Sequence, residues 1–414
     1  MRNLNSFYLK DKYQFEVIFF CVKVTAIMNI EWSDRIKNLP PYLFAEIDAK
    51  KDALLAKGVD VIDLGVGDPD IPTPIRIINA LHQSSLNPDN HRYPSYAGMM
   101  SFRDEVATWY KKRFDVSLEG KKNVIALIGS KEGVAHAPLA FINPGDIALV
   151  PDPGYPVYSV ATEFAGGTPY TMPLLESNGF MPDLDIIPED VLKKTKIMFL
   201  NYPNNPTSAF ATDEFFKKAI DFASRNNILI CHDAAYTEVY FDEKPKSFLE
   251  YDGAIDVGIE FHSLSKTFSM TGWRLGHVAG NESAVAAIGK IKTNIDSGAF
   301  QAVQEAGIEA LRNYRDELQD RINIYKKRSQ LLSLGLQSIG IEVYEPKGTF
   351  YVWFKNPNGI LSKDFANSLL EDAGIVMTPG TGFGEYGEGY TRASVTLNDK
   401  RLEEAVERIK KLTI

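Results

Sequence analysis

"KIMFLNYPNNPT", residues 196–207, runs from an apolar stretch into a segment whose backbone is fixed twice, by Pro203 and Pro206. Asparagine beside proline is ordinarily only a turn, but here the turn closes an apolar run and holds Asn205 in a defined direction. The same construction recurs along the chain. "VIDLGVG" (61–67), "NVIALIGS" (123–130), "DIALVPD" (146–152), "NILICHD" (227–233), "VGIEFHS" (257–263) and "LGHVAG" (275–280) are short apolar runs that end on small or polar residues. Apolar strands separated by helix-length segments predict an α/β fold with a mostly parallel sheet covered on both faces. One of the intervening segments, "SFRDEVATWYKKRF" (101–114), opens with a Ser-x-x-Asp capping pair and sets Phe102, Val106 and Trp109 on one helical face. After residue 311 the pattern changes to a long charged helix, then "TFYVWF", a short helix, "IVMTPG" and "TRASVTL", which reads as a second, smaller α+β domain.

Composition removes several classes of function. With 414 residues, 44% of them hydrophobic, the chain can bury a sizeable core. Its net charge of -9 leaves no basic face for nucleic acid. Two cysteines without a C-x-x-C pair fit a reducing cytoplasm, and six scattered histidines without an H-x-x-x-H pair indicate no metal site. The segment "YQFEVIFFCVKVTAIM" (13–28) is broken by Glu16 and Lys23, lacks a clear cleavage site and is too short to span a membrane. Residues 1–27 therefore read as an extension ahead of a working chain that starts near Met28, the rival reading being a degenerate membrane anchor.

Ligands of open α/β sheets bind at the carboxyl ends of the strands, and four such ends carry unusual polar residues. "GSKEG" (129–133) joins a strand to a helix whose free N–H groups suit a phosphate, although an ordinary turn has the same look. "NYPNNPT" presents Asn205. "CHDAAYTEVYF" puts Asp233 after a buried run and Tyr236 three residues on, a spacing that points both the same way if a helical turn begins there; an N-cap is the plainer alternative. "HSLSKTFSMTGWRLG" (262–276) sets Lys266 among Ser263, Ser265 and Arg274. A lysine amine condenses with an aldehyde in a desolvated, cation-lined site, and serines with arginine supply donors for an anion beside it. Lysine and phosphate held together imply pyridoxal phosphate.

From about residue 30 to the end, these segments resemble the fold-type I aminotransferases of class I/II. The resemblance implies a large domain on a mostly parallel seven-stranded sheet at 71–310, a small domain at 311–414, and a segment at 28–70 that contributes to the small domain. It further implies that Lys266 bonds to pyridoxal 5'-phosphate, that Asp233 pairs with its pyridine nitrogen, and that Tyr236 and Asn205 bond its ring oxygen. By the same resemblance Tyr155 in "PDPGYPVY" would lie over the ring face, Ser130, Lys131, Ser263, Ser265 and Arg274 would form the phosphate cup, and Tyr93 in "RYPSYAG" would reach the phosphate of the neighbouring subunit, so a homodimer is expected. For the substrate, the resemblance implies that Arg392 in "YTRASVTL" clamps the α-carboxylate, that Gly67 in "LGVGDPD" offers a backbone contact, and that Tyr42 in "PPYLFAEI" closes over it.

Within that family, "NPDNHRYPSYAGM", "LIGSKEGVAH", "NYPNNPT" and "VGIEFHSLSKT" together resemble the diaminopimelate branch. Amino transfer between glutamate and tetrahydrodipicolinate, in lysine biosynthesis, is what that branch implies. Lys131 and Asn294 are candidates for reading the distal end of the substrate. One departure is Ser208, where many members have glycine; its side chain is expected to narrow the pocket. Rival readings are a carbon–sulfur lyase on the same fold, an aminotransferase of aspartate, alanine or aromatic type, and a non-catalytic regulator, for which residues 1–30 are too few to form a DNA-binding module. Aspartate specificity is disfavoured because "KTNIDSGAFQ" (292–301) has no arginine, although Lys292 lies there. "GTGFGEYGEG" (380–389) precedes a strand, so it reads as a flexible loop near the carboxylate site and not as a dinucleotide finger.

Overall fold

Consecutive residues of a strand face opposite sides of a sheet, and the central strands here are apolar on both. Ile197 and Phe199 join Cys231, Phe261 and Val278 in one buried cluster, while Met198 and Leu200 join Leu149 and Ile230 in another. A sheet apolar on both faces must be covered twice. The helices Ser130–Phe141 and Glu282–Thr293 supply Val134, Ala137, Val285 and Ile288 to the first cluster. Met100–Phe114 and Asp213–Asn226 supply Phe102, Val106, Phe215 and Phe216 to the second.

The computed structural model describes residues 30–37, 39, 43–315 and 318–412. The extension expected at residues 1–27, and Tyr42, lie outside the described residues. Residues up to Pro40 form a unit of their own, whose described part holds the helix Asp34–Lys37. Among the described residues no helix is long and apolar enough to cross a membrane.

In chain order the strands are β1 (Ile62–Asp63), β2 (Val124–Leu127), β3 (Ile147–Asp152), β4 (Thr168–Pro173), β5 (Thr195–Asn201), β6 (Leu229–Asp233), β7 (Gly258–Ser263), β8 (Gly276–Gly280), β9 (Val343–Tyr344), β10 (Tyr351–Lys355), β11 (Ile375–Val376), β12 (Thr378–Pro379) and β13 (Tyr390–Ser394). Seven form one sheet in the order β2-β8-β7-β6-β5-β3-β4. Pairing is parallel from β4 through β7, and β8 runs antiparallel to both its neighbours. Between Ser263 and Gly276 lie only a one-turn helix, Leu264–Thr267, and a 3-10 turn, Thr271–Trp273, so no crossover helix returns the chain to a parallel start. A four-stranded antiparallel sheet, β12-β13-β10-β9, and a parallel pair, β1 with β11, complete the strands.

Two expectations change. "VIDLGVG" does not enter the large sheet; only Ile62 and Asp63 are extended, and they pair with Ile375 and Val376. The place it vacates is taken by β4, the edge strand "TPYTMP", whose Pro169 and Pro173 disguise it as a loop in sequence. The helix "SFRDEVATWYKKRF" buries Phe102, Val106 and Trp109, but Ser101 lies inside it and makes no cap. It begins at Met100, and Gln304 Oε1 accepts from the Met99 amide at 2.7 Å instead.

Candidate active site

Parallel register brings strand ends to one level. Asn201, the last residue of β5, pairs across with Asp233, the last of β6, which pairs in turn with Phe261 of β7. Past that level lies a cavity of about 460 Å³. Of the residues singled out in the sequence, Gly67, Ser130, Lys131, Tyr155, Asn205, Asp233, Tyr236, Ser263, Ser265, Lys266, Arg274 and Arg392 all line it. Two do not. Tyr93 is 87% exposed, and Asn294 is exposed with its Nδ2 donating to the Lys290 carbonyl at 2.8 Å.

The strand β6 ends on Asp233, which is buried at 7% exposure. Tyr158 donates its hydroxyl to Oδ2 at 2.9 Å, and Oδ1 is buried with no hydrogen-bond partner. Burial pushes this carboxyl above its ordinary range, against the Tyr158 hydroxyl, the Ala235 amide and the neighbouring His232 and His262. The side chain of Asn201 donates to the Asp233 carbonyl at 2.7 Å and accepts from the Asn205 amide at 2.8 Å, so the turn "NYPNNPT" is pinned to the end of β6.

Lys266 sits on the short helix after β7 and donates to the carbonyl of Gly67 at 2.9 Å. Around it the anion cup takes shape. Ser263 Oγ accepts from the Ser265 amide at 3.2 Å, and Ser265 Oγ is buried with no partner. Gly129 precedes the helix Ser130–Phe141 at φ +93°; a Cβ there would lie 2.3 Å from Arg274 Nη2, so only glycine lets the guanidinium close on the helix start. Arg274 is itself held by Nη1 donating to the Thr271 carbonyl at 2.9 Å. Lys131 Nζ stands 5.9 Å from the centre of the Tyr155 ring.

At the opposite wall Arg392, on β13, is 4% exposed. It donates to Asn205 Oδ1 at 2.8 Å and to the Gly65 carbonyl at 2.5 Å, and stacks over the rings of Tyr351 at 4.1 Å and Phe383 at 4.7 Å. Among the described residues no carboxylate pairs with it, and burial lowers its pKa. Because a guanidinium only donates, it fixes the Asn205 amide with oxygen toward Arg392 and the NH2 group turned away.

Two expectations are corrected here, and the loop at 380–389 lies near the carboxylate site as expected, with Phe383 against Arg392. Ser208 does not line the cavity: its Oγ donates to the Tyr351 carbonyl at 2.8 Å and lies 2.7 Å from Thr349 Oγ1, so it ties the turn to β10. Lys292 is buried between Glu132 at 2.8 Å and Asp296 at 2.8 Å, which removes it from substrate recognition in its own cavity. The loop "GTGFGEYGEG" forms two 3-10 turns, Gly380–Phe383 and Glu385–Gly387, fastened by Asp152, which accepts from the amides of Glu385 and Tyr386 at 3.0 Å. Sequence reading missed Tyr158 and Tyr351. The first carries a weak signal, an aromatic three residues after Tyr155, which itself precedes the helix Val157–Phe164; the second opens an apolar strand and carries none.

The chain is similar to several known proteins. The family "Aminotransferase class I and II" matches residues 59–409. An LL-diaminopimelate aminotransferase of Aquifex aeolicus is 58% identical over 93% of this chain and 100% of its own. That of Syntrophobacter fumaroxidans is 57% identical over 92% and 98%. Among solved structures, apo-BacF of Bacillus subtilis superposes with a TM-score of 0.90 at 41% identity, over 94% of this chain and 99% of its own. An aspartate aminotransferase mutant of Thermus thermophilus reaches 0.87 at 26% identity, over 92% and 99%. With a lysine, a buried carboxylate and an uncompensated arginine gathered where the strands of an α/β sheet end, the chain belongs to the class I and II aminotransferases.

Proposed function

We propose that the cavity binds pyridoxal 5'-phosphate and that the protein transfers an amino group between glutamate and tetrahydrodipicolinate, giving LL-diaminopimelate and 2-oxoglutarate for lysine biosynthesis. The observation that carries the cofactor is Asp233 Oδ1, a buried acceptor without a donor in the same cavity as Lys266. A protonated pyridine nitrogen supplies that donor. Ser265 Oγ, likewise buried and unpartnered, has room for a phosphate oxygen beside Arg274 and the Ser130 helix start. When bound, the cofactor supplies an electron sink for the pair released by Cα–H cleavage.

The protein's own groups do the rest. Asp233 keeps the pyridine nitrogen protonated, and Tyr236 and the NH2 of Asn205 donate to the ring oxygen. Arg392 exchanges carbonyl partners for the two oxygens of an α-carboxylate, which gives the buried guanidinium the countercharge it lacks. Lys266 would remove the proton from the substrate Cα and deliver it on the far side of the transferred nitrogen, serving as base and then as acid. The substrate assignment is supported by the named relatives above. A homodimer is supported by the exposure of Tyr93, which reaches no group in its own cavity. Cytoplasmic residence is proposed with it.

The test is the visible absorption of purified, cofactor-loaded protein before and after LL-diaminopimelate, without keto acid. Loss of the band and its return on adding 2-oxoglutarate is the expected result. Bleaching by glutamate but not by LL-diaminopimelate refutes the substrate, and turnover indifferent to any keto acid refutes amino transfer.

A further inference from the structure

Tyr351 meets both ends of the cavity. Its backbone is held first: the carbonyl accepts from Ser208 Oγ at 2.8 Å and the amide donates to Thr349 Oγ1 at 3.0 Å. Its hydroxyl lies 3.0 Å from the hydroxyl of Tyr236 and crowds Gly67, where a Cβ would come within 2.1 Å of it. Gly67 in turn accepts from Lys266. The other side of the same residue, its ring, carries the guanidinium of Arg392 at 4.1 Å. Arg392 and Asp233 are the charged groups acting on the Tyr236–Tyr351 pair, and burial keeps the Tyr236 hydroxyl un-ionised.

We infer that Tyr351 is a positioning residue for amino transfer: its hydroxyl donates to Tyr236 and its ring holds Arg392 in place for the α-carboxylate. The inference rests on the cofactor reading above. Two hydroxyls 3.0 Å apart share one proton between their oxygens, so one donates and the other is left free to donate elsewhere. Tyr236 is the one assigned to the ring oxygen; it can serve that oxygen only if Tyr351 is the donor within the pair. A hydroxyl that accepts one hydrogen bond donates a stronger one, so Tyr351 reinforces the contact it does not itself make. Ser208 then has a purpose: it fixes the strand start that aims Tyr351.

The experiment is a pH titration of the visible band of substrate-free holoenzyme. Tyr351→Phe keeps the ring and removes the hydroxyl. Weaker donation from Tyr236 leaves the negative ring oxygen less stabilised, so the midpoint moves up by about half a unit, one hydrogen bond's worth. Tyr236→Phe moves it further up, and the double variant matches Tyr236→Phe alone, because the hydroxyl of Tyr351 acts only through Tyr236. For the ring, KM for the amino acid rises about tenfold more in Tyr351→Met, which fills the space without a π face, than in Tyr351→Phe. An unmoved midpoint in Tyr351→Phe, or shifts that add in the double variant, overturns the hydroxyl's role; equal KM in the two variants overturns the ring's. Wild-type protein that shows no visible band with pyridoxal phosphate overturns the cofactor reading, and this inference with it.

Discussion

Tyr158 and Asp233 are joined by a 2.9 Å hydrogen bond that uses one carboxylate oxygen and leaves the other bare. Tyr158 is fully buried and stacked on Phe199 at 4.8 Å, so its hydroxyl cannot swing away. Replacing it by phenylalanine strands Oδ2 in the interior, at about 1 to 3 kcal/mol for an unsatisfied buried acceptor. Denaturant titration of the apoprotein should show that loss. An unchanged midpoint would mean that Asp233 finds another donor.

Lys266 serves chemistry more than stability, since its hydrogen bond to Gly67 is worth about 0.5 to 1.5 kcal/mol. Lys266→Ala should therefore fold and retain cofactor but lose turnover altogether. Near-normal activity in that variant would end the assignment of Lys266 as the proton carrier.

Gly129→Ala should weaken cofactor binding at least about tenfold. Its φ of +93° strains any other residue by about 1 to 3 kcal/mol, and the added methyl displaces Arg274 from the anion cup. Equilibrium titration of apoprotein with pyridoxal phosphate measures it, and affinity equal to wild type would show that the cup does not depend on that approach.

Beneath the cup, Glu132 accepts from the Ile128 amide at 2.5 Å and from Lys292, and burial raises its pKa from 4.5 to about 7. Below pH 4.5 the protonated carboxyl favours the folded chain; that contribution is lost as pH rises toward 7. Lys292, Asp296 and His136 are the charged and titratable groups around it. The stability difference between wild type and Glu132→Gln should therefore vary across this window, wild type losing ground as pH rises, and a pH-independent difference would refute it. Lys292→Met should lower stability at neutral pH, measured by denaturant titration, chiefly by leaving Asp296 without its cation, since Glu132 with its pKa near 7 can take up a proton.

The parts legible in sequence are those where local chemistry and structure coincide. Asp233, Lys266 and Asn205 each follow a strand that the apolar pattern reveals, and parallel pairing alone brings them to one level. What stayed hidden was made by tertiary contact. Ser208 looks like a pocket residue until β10 is seen to lie against it, and Lys292 looks like a free cation until Glu132, 160 positions away, joins the nearby Asp296 against it. The capping pair at Ser101 lost to Gln304, which is 203 positions away and invisible to any local rule. The edge strand failed for a different reason: its prolines oppose the very periodicity by which strands are found.

Those prolines have a consequence at the rim of the sheet. The amides of Thr168 and Leu174 bond inward to Asp146 and Asp152, so by alternation the outward-facing positions of β4 are 169, 171 and 173. Two of the three are Pro169 and Pro173, which have no N–H. Thr171 alone offers an outward donor along the whole strand, too little for another chain to dock and extend the sheet. The rim is thereby closed to self-templating, the route by which exposed strands seed aggregates, and a Pro169→Thr/Pro173→Val chain would carry three donors where the native one carries one.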